Sequence, residues 1–430
     1  MSLRIFIDPS LSSFREVRYV FQIISGNKNI DIAFVHDGSN SDFKITPGPE
    51  SDFAVSSAFY EKIRHGKFNF EEHFINGCLI RDENGKEDLI STIFYCINSL
   101  QEYQSASDDG LGRFQYKNSY QYKYKNVLVN IVQELIDRIC EHPRLKDISK
   151  RNRKSKIFLT HDIDSIHGSW KEDGFHALKK LQPGKFLSVM LNAAIGRPDW
   201  LNMDKVMKIE DENGFRSTFY WLLYKDKRNA DYHFKSRSIQ NQVAMIQKNG
   251  WENGLHKSLH STSFREEIAE LGVDTNGNRF HYLNFKLPEG YSVIEGSGLK
   301  LDTSLGFTEH WGFRNSYGLP FMPYCLAEAR VHDFIEVPMQ VMDRTFFTKR
   351  IPVSEIKKEL IDWFEKNRYN AVFSINFHNN FFSELKYAGY AELYKSLLSY
   401  FRESGFEPTT QKELVNEFYR PEKFKLADNP

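Results

Sequence analysis

Ile157-Phe158-Leu159-Thr160-His161-Asp162-Ile163-Asp164 is a short apolar run that ends in two carboxylates. In α/β barrels the working groups project from the C-terminal ends of buried parallel strands and from the loops that follow them. An apolar run with acids at its exit is what such a strand predicts. Six more short apolar runs follow, at Ser217–Leu223, Trp251–Leu255, Phe280–Phe285, Lys300–Leu305, Phe334–Val341 and Ala371–Phe377. Amphipathic helical periods separate most of them: Met203–Asn213, Ser238–Lys248, Phe264–Leu271, Val353–Lys366 and Ala391–Glu403. Strands alternating with helices predict an α/β fold with a parallel sheet, and seven of them predict a distorted (β/α) barrel of about seven strands. Ser263-Phe264-Arg265-Glu266 fits a capping box, so a helix is expected to start there. Gly214, Gly250, Gly272 and Gly405 each follow a helical run, where a left-handed residue commonly ends it.

Upstream the rhythm differs. Arg4–Ile7 and Asp31–Val35 read as strands, a helical stretch follows Ser12, and a long helical period runs from Val127 to Ile139. Residues 1–148 are therefore expected to form an α/β or α+β accessory domain, and 149–430 the barrel. The basic stretch from Lys150 to Lys156 between them reads as a solvated connector. A length of 430 residues makes two domains a better expectation than one.

Lys plus Arg and Asp plus Glu number 57 each, so no global field favours nucleic acid or an anionic surface. Four scattered cysteines, without a CxxC pair, read as reduced thiols. The N-terminus lacks a signal-peptide pattern and no apolar segment is long enough to span a bilayer, which leads to the expectation of a cytoplasmic enzyme. The 36 Phe and 21 Tyr suit sugar faces as well as cores.

Three of the predicted strand ends carry metal-site and acid–base residue types. Asp162 and Asp164 follow the first strand, His256 and His260 follow the strand at Trp251, and His378 closes the strand before it. Two histidines four apart can aim their rings the same way, and a carboxylate from elsewhere completes a three-ligand site with open positions. One aspartate can bind the ion while the other takes a proton from water, and His378 can protonate a departing amine. The lone histidines His161, His167, His233, His281 and His310 read as surface or hydrogen-bonded core residues. Trp221, Trp251 and Trp311 read first as core.

Thr160-His161-Asp162-Ile163-Asp164, Gly254-Leu255-His256-Lys257-Ser258-Leu259-His260-Ser261 and Phe377-His378 together resemble the first, second and fifth motifs of the polysaccharide deacetylase (NodB homology) family. The closer likeness is to a bacterial subgroup with a THDxD first motif and an extra N-terminal domain. The stretch from Leu100 to Phe114 adds to it. The resemblance implies that Asp162 is the general base and that Asp164, His256 and His260 bind a divalent metal, zinc first and cobalt, nickel, iron or manganese after it. It also implies an arginine beside the base, assigned to Arg279, and His378 as the acid. Arg314 is a competing guanidinium, and Asp302 divides between turn chemistry and substrate contact. Two features depart from the family: Ile163 separates the aspartates, and Lys257 replaces a hydroxyl residue. Spacing by two along an extended segment still sends both carboxylates to one face.

The implied activity is removal of an N-acyl group, most simply acetyl, from an amino sugar or glycan precursor by a metal-activated water. The implied partner is a carbohydrate carrying that group, with no nucleic acid and no membrane span. Two other readings remain at this point. One is a carbohydrate-binding protein of the same fold without turnover, and the other a non-haem Fe(II) oxygenase built on His256, His260 and Asp164.

Overall fold

The computed structural model describes residues 2–48, 50–74, 78–103, 105, 109–145, 151–259 and 263–425. Residues 2–145 hold a three-stranded parallel sheet of β1 (Ser2–Ile7), β2 (Asp31–Val35) and β3 (Phe43–Ile45), in the order β2-β1-β3. Helix α1 (Phe14–Lys28) connects β1 to β2, and α2 (Leu89–Ile97) and α3 (Ile131–Cys140) pack on each other behind it.

From residue 156 onward a nine-stranded parallel sheet curls into an α/β barrel. Its strands are β4 (Lys156–Ile163), β5 (Ser217–Trp221), β6 (Glu252–Lys257), β7 (Gly277–Phe280), β8 (Leu301–Asp302), β9 (Ile335–Glu336), β10 (Met339–Met342) and β11 (Val372–Asn376). They lie side by side in the order β9-β8-β7-β6-β5-β4-β11-β10, and Glu407–Pro408 adds a short pairing to β4. The two ends of that order are halves of one passage of chain. β9 pairs with β8 and β10 with β11, and between them sit Val337 and Pro338. Proline has no N–H to give a ladder, so the passage changes neighbours there.

Helices α4 (Ser169–Lys179), α5 (Pro183–Ala194), α6 (Met203–Asn213), α7 (Arg237–Lys248), α8 (Phe264–Leu271), α9 (Val353–Lys366) and α10 (Tyr390–Glu403) accompany the sheet. The capping box of α8 forms as the spacing predicts, with Ser263 and Glu266 satisfying each other's end amides. Gly214 and Gly272 end α6 and α8 in the left-handed region.

Three expected strands shift. Phe280–Phe285 proves to be the tail of β7 and a turn, because Tyr282 and Leu283 take φ of 58° and 52° and leave the ladder. Lys300–Leu305 pairs only at Leu301 and Asp302, and Phe334–Val341 is split at Pro338. The basic connector is exposed at Arg151, Asn152 and Lys154, as a solvated segment should be, but it is also anchored. Arg153 and Lys156 both pair with Glu417, and Arg151 and Arg153 donate to carbonyls of Asn29 and Asn27 at the end of α1. Residues 146–150, where the expected boundary falls, lie outside the described residues.

The core does not stop at that boundary either, since one hydrophobic cluster contains Ile5, Phe94 and Ile136 together with Phe158, Leu301 and Ile335. Polar contacts cross it too. Arg314 lies under the N-terminal part, where Nε and Nη2 donate to the two carboxylate oxygens of Glu102 at 2.9 and 2.6 Å and Nη1 donates to the Gly306 carbonyl. Both side chains are buried. Removing one member of a buried ion pair strands the other, at a cost of about 3–5 kcal/mol, whereas an apolar pair of similar volume is close to neutral. Arg314→Ala is accordingly expected to lower the urea midpoint strongly, and Arg314→Met with Glu102→Leu to recover most of the loss. A single variant as stable as the wild type would count against this pair as a tie between the two parts.

Candidate metal and acid–base site

Strand β4 alternates its side chains between two faces. Thr160 and Asp162 point inward to Arg279, while His161 turns away and is held by the Phe377 carbonyl at 2.7 Å and Glu210 at 2.8 Å. His161 is thus the hydrogen-bonded core residue its isolated position suggests. Lys257 also points away from the site, into a buried pair with Glu267 at 2.6 Å.

Asp162 is buried and held on both oxygens. Arg279 Nη1 donates to Oδ1 at 2.8 Å and Asn376 Nδ2 donates to Oδ2 at 2.9 Å. Arg279 is itself fixed by the Thr303 carbonyl and the hydroxyls of Thr160 and Thr303. Burial drives Asp162 toward its neutral form, but Arg279, followed by His256 and His378, outweighs it and holds the carboxyl below the usual range. The group is ionised at neutral pH.

Two residues on, Asp164 faces three imidazoles. His256 Nε2 is 3.3 Å and His281 Nε2 3.7 Å from Oδ1, and His378 Nε2 is 3.6 Å from Oδ2. Ligand atoms of Asp164, His256 and His281 all lie within 4.8 Å of one another, close enough to share one cation. The donor chemistry fits. Asp164 Oδ1 is buried without a hydrogen-bond partner, and His256 Nδ1 lies 2.9 Å from the Arg279 carbonyl. A carbonyl only accepts, so that ring nitrogen carries the proton and Nε2 turns a lone pair inward. Burial pushes the His281 imidazole down to about 4, which keeps it neutral and able to ligate at pH 7. At Asp164 burial opposes the charge, yet His281, His256 and His378 hold the carboxyl far below its ordinary value.

His281, a lone histidine that the sequence assigns to surface or core, sits here because β7 ends at Phe280. The left-handed turn at Tyr282 and Leu283 then swings the chain across the mouth. Such a turn at non-glycine residues is strained and is typical of sites where a side chain must be aimed. His260, the second histidine of the expected ligand set, lies outside the described residues.

His378 begins the loop after β11. Its Nδ1 is 2.7 Å from Asp343 Oδ1 and its backbone N–H donates to Asp343 Oδ2 at 2.6 Å, so Asp343 fixes both ring and backbone. Nε2 is left to face Asp162 and Asp164. Burial disfavours the charged ring, but the Asp343 carboxylate, with Asp164 and Asp162, reverses the sign and raises its pKa above the ordinary value. Asp343 follows β10 directly and escaped the sequence reading, although an acid just past an apolar run was the signal that singled out Asp162.

A cavity of about 440 Å³ opens onto this cluster and is lined by Asp162, Asp164, His256, His281 and His378, with Arg344 and Lys349 at its wall. Two expected substrate contacts do not line it. Arg314 is consumed by Glu102, as described above. Asp302 is buried, accepting from Asn278 Nδ2 at 2.7 Å and from the backbone N–H and hydroxyl of Ser304, which makes it a turn-stabilising group.

Residues 6–144 match the model of a family of unknown function, DUF7033. No curated protein matches the chain. Similar solved structures include a candidate polysaccharide deacetylase involved in O-antigen biosynthesis from Bordetella bronchiseptica, 14% identical over 62% of this chain and 90% of that one, with a TM-score of 0.33. Peptidoglycan deacetylase PdaC from Bacillus subtilis is 11% identical over 61% and 91%, with a TM-score of 0.31. A CE4 family pseudoenzyme from Bacillus anthracis is 9% identical over 62% and 67%, also with a TM-score of 0.31. At such identities and scores the likeness carries no argument about activity, and the chemistry rests on the side chains.

Proposed function

We propose that this chain is a metal-dependent hydrolase of the polysaccharide deacetylase type, which removes an N-acyl group, most simply acetyl, from an amino sugar or glycan precursor. One observation carries the reading. Three convergent ligand atoms share a cavity with a buried ionised carboxylate, Asp162, and with a histidine of raised pKa, His378. A ligand set and a matched base and acid are what hydrolysis of an unactivated amide requires.

Asp164 and His256 would hold the cation, together with His281 and, on the sequence reading, His260. Zinc is the first expectation for a histidine and carboxylate set. When bound, such an ion polarises a carbonyl and acidifies water. The chain's own residues do the rest. Asp162, kept charged by Arg279 and kept in place by Asn376, takes the proton from the attacking water. His378, oriented by Asp343 and protonated, gives a proton to the nitrogen that leaves as an amine. The parallel sheet flanked by helices favours this chemistry over the oxygenase alternative, which usually occupies a double-sheet β fold.

The direct test is acetate release from a panel of N-acetyl amino sugars and glycans by zinc-loaded and chelator-treated protein. Zinc-dependent release is expected. Sugar binding at full zinc loading without any release would leave the non-catalytic alternative standing instead.

The acid role also sets a pH dependence. Asp343 raises the His378 pKa, so the proton that must be donated is retained above the ordinary histidine range. Asp343→Asn removes that charge and lets the pKa fall. The alkaline limb of kcat/KM is therefore expected to move to lower pH by about one unit or more. A limb that stays in place would separate His378 from the alkaline ionisation.

A further inference from the structure

Seven of the twelve exposed large apolar side chains among the described residues fall between residues 170 and 195, on the hairpin formed by α4 and α5. Phe175, Leu178 and Leu181 follow one another at helical spacing on the first arm, and Leu187, Leu191 and Ile195 on the second. Each is more than half exposed, and Leu181 reaches 87%. This is not a loosely packed element with its core turned outward. Its inner face is already made by Ala177, Val189 and Leu385. The two arms also touch at Gly174, where an added Cβ would stand 2.9 Å from Met190 Cε. A contiguous apolar face of this kind on a folded surface marks a contact site.

The charges around it indicate what it contacts. Lys171, Lys179, Lys180, Lys185 and Arg197 accompany the hairpin against three acids, Glu172, Asp173 and Asp199, in a chain whose charges balance overall at 57 each. Each acid is already engaged: the half-exposed Glu172 pairs with Lys386, the buried Asp173 accepts from Trp200 Nε1 and Ser383 Oγ, and Asp199 accepts from Asn192 Nδ2. Lys180 is likewise spent, on the Leu385 carbonyl. Lys171, Lys179, Lys185 and Arg197 remain exposed around the apolar face. A second copy pairing through the same face would set lysines against lysines. An anionic bilayer surface accepts both features, taking apolar side chains between its headgroups and neutralising the cations. The arms are 11 and 12 residues long, and no described helix is long and apolar enough to cross a membrane, so the hairpin would lie in the interface.

We infer that the α4–α5 hairpin is a docking surface for an anionic lipid bilayer. Its place in the fold gives the contact a direction. Helix α4 starts five residues after Asp164, and the hairpin is bonded to Ser383, Leu385 and Lys386 in the segment that follows His378. The hairpin is therefore attached at the same end of the barrel strands that carries Asp164 and His378, and docking holds that end of the barrel near the lipid surface. Bilayer binding is measured without turnover, so this inference stands or falls separately from the hydrolase reading.

The test is co-sedimentation of the full chain with vesicles of phosphatidylcholine alone and of phosphatidylcholine mixed with phosphatidylglycerol. Two surface variants accompany the wild type, Phe175→Ser with Leu191→Ser, and Lys171→Glu with Lys179→Glu, each checked for an unchanged melting temperature. The wild type is expected to partition onto the anionic vesicles, less so at high salt, and weakly onto neutral ones. Each variant is expected to lose about tenfold or more of that partitioning. Wild-type protein that stays in the supernatant, or variants that sediment as well as the wild type, would overturn the inference. A concentration-dependent dimer that Phe175→Ser with Leu191→Ser dissolves would also overturn it, by assigning the face to a second copy.

Discussion

Asp162→Asn is expected to fold, to keep its metal, and to release acetate about 10²–10⁴ times more slowly than the wild type, the usual worth of a positioned proton acceptor. Asparagine preserves the shape and the contacts of one oxygen with Arg279, but it has no charge with which to take a proton from water. Metal binding should survive because the cluster within 4.8 Å is formed by Asp164, His256 and His281, without Asp162. The measurement is kcat on the best substrate of the panel, alongside zinc content and melting temperature. Some stability will be lost, since Arg279 is fully buried and Asp162 is its carboxylate partner at 2.8 Å. Turnover within tenfold of the wild type, at equal zinc, would remove Asp162 from the proton path.

How much of this was legible in the sequence depends on whether a feature is local. Strand β4 and its carboxylates could be read because an apolar run and its polar exit are adjacent in the chain, and the same holds for β6 with His256 and β11 with His378. Helices α6, α8 and α9 could be read to the residue, since caps, glycine stops and apolar periodicity act within a few residues. What escaped depends on contacts between distant segments. Asp343 acquires its role only by meeting His378, 35 residues away. Arg314 looked like a free guanidinium because its partner Glu102 lies 212 residues upstream. His281 was hidden by a different error. The short apolar run Phe280–Phe285 suggests a strand, which places His281 inside it rather than at its exit. A short apolar run does not reveal the positive φ angles that take Tyr282 and Leu283 out of the ladder.

His281 is also where sequence and structure differ most usefully about the metal. The motif reading names His256 and His260 with Asp164, and the geometry brings His281 to the same oxygen of Asp164 that His256 faces. Zinc affinity measured by competition with a chromophoric chelator decides between them. His256→Ala is expected to abolish stoichiometric zinc binding, because His256 belongs to both sets and its tautomer is fixed by the Arg279 carbonyl. His281→Ala is expected to weaken zinc binding at least about 10–100-fold, the loss seen when even an outer-shell partner of a metal site is removed. Acid should act on the same groups. A cation competes with protons for lone pairs, and the His281 pKa of about 4 means that this ligand stays unprotonated well below neutral pH. The histidine to be lost first on acidification is then His256, whose pKa is raised, against the pull of burial, by Asp162 and Asp164. Undiminished zinc affinity in His281→Ala, with a collapse in His260→Ala, would return the site to the two-histidine set of the motif. His281 would then be a buried neighbour of the ion, close enough to shape its pocket but making no bond to it.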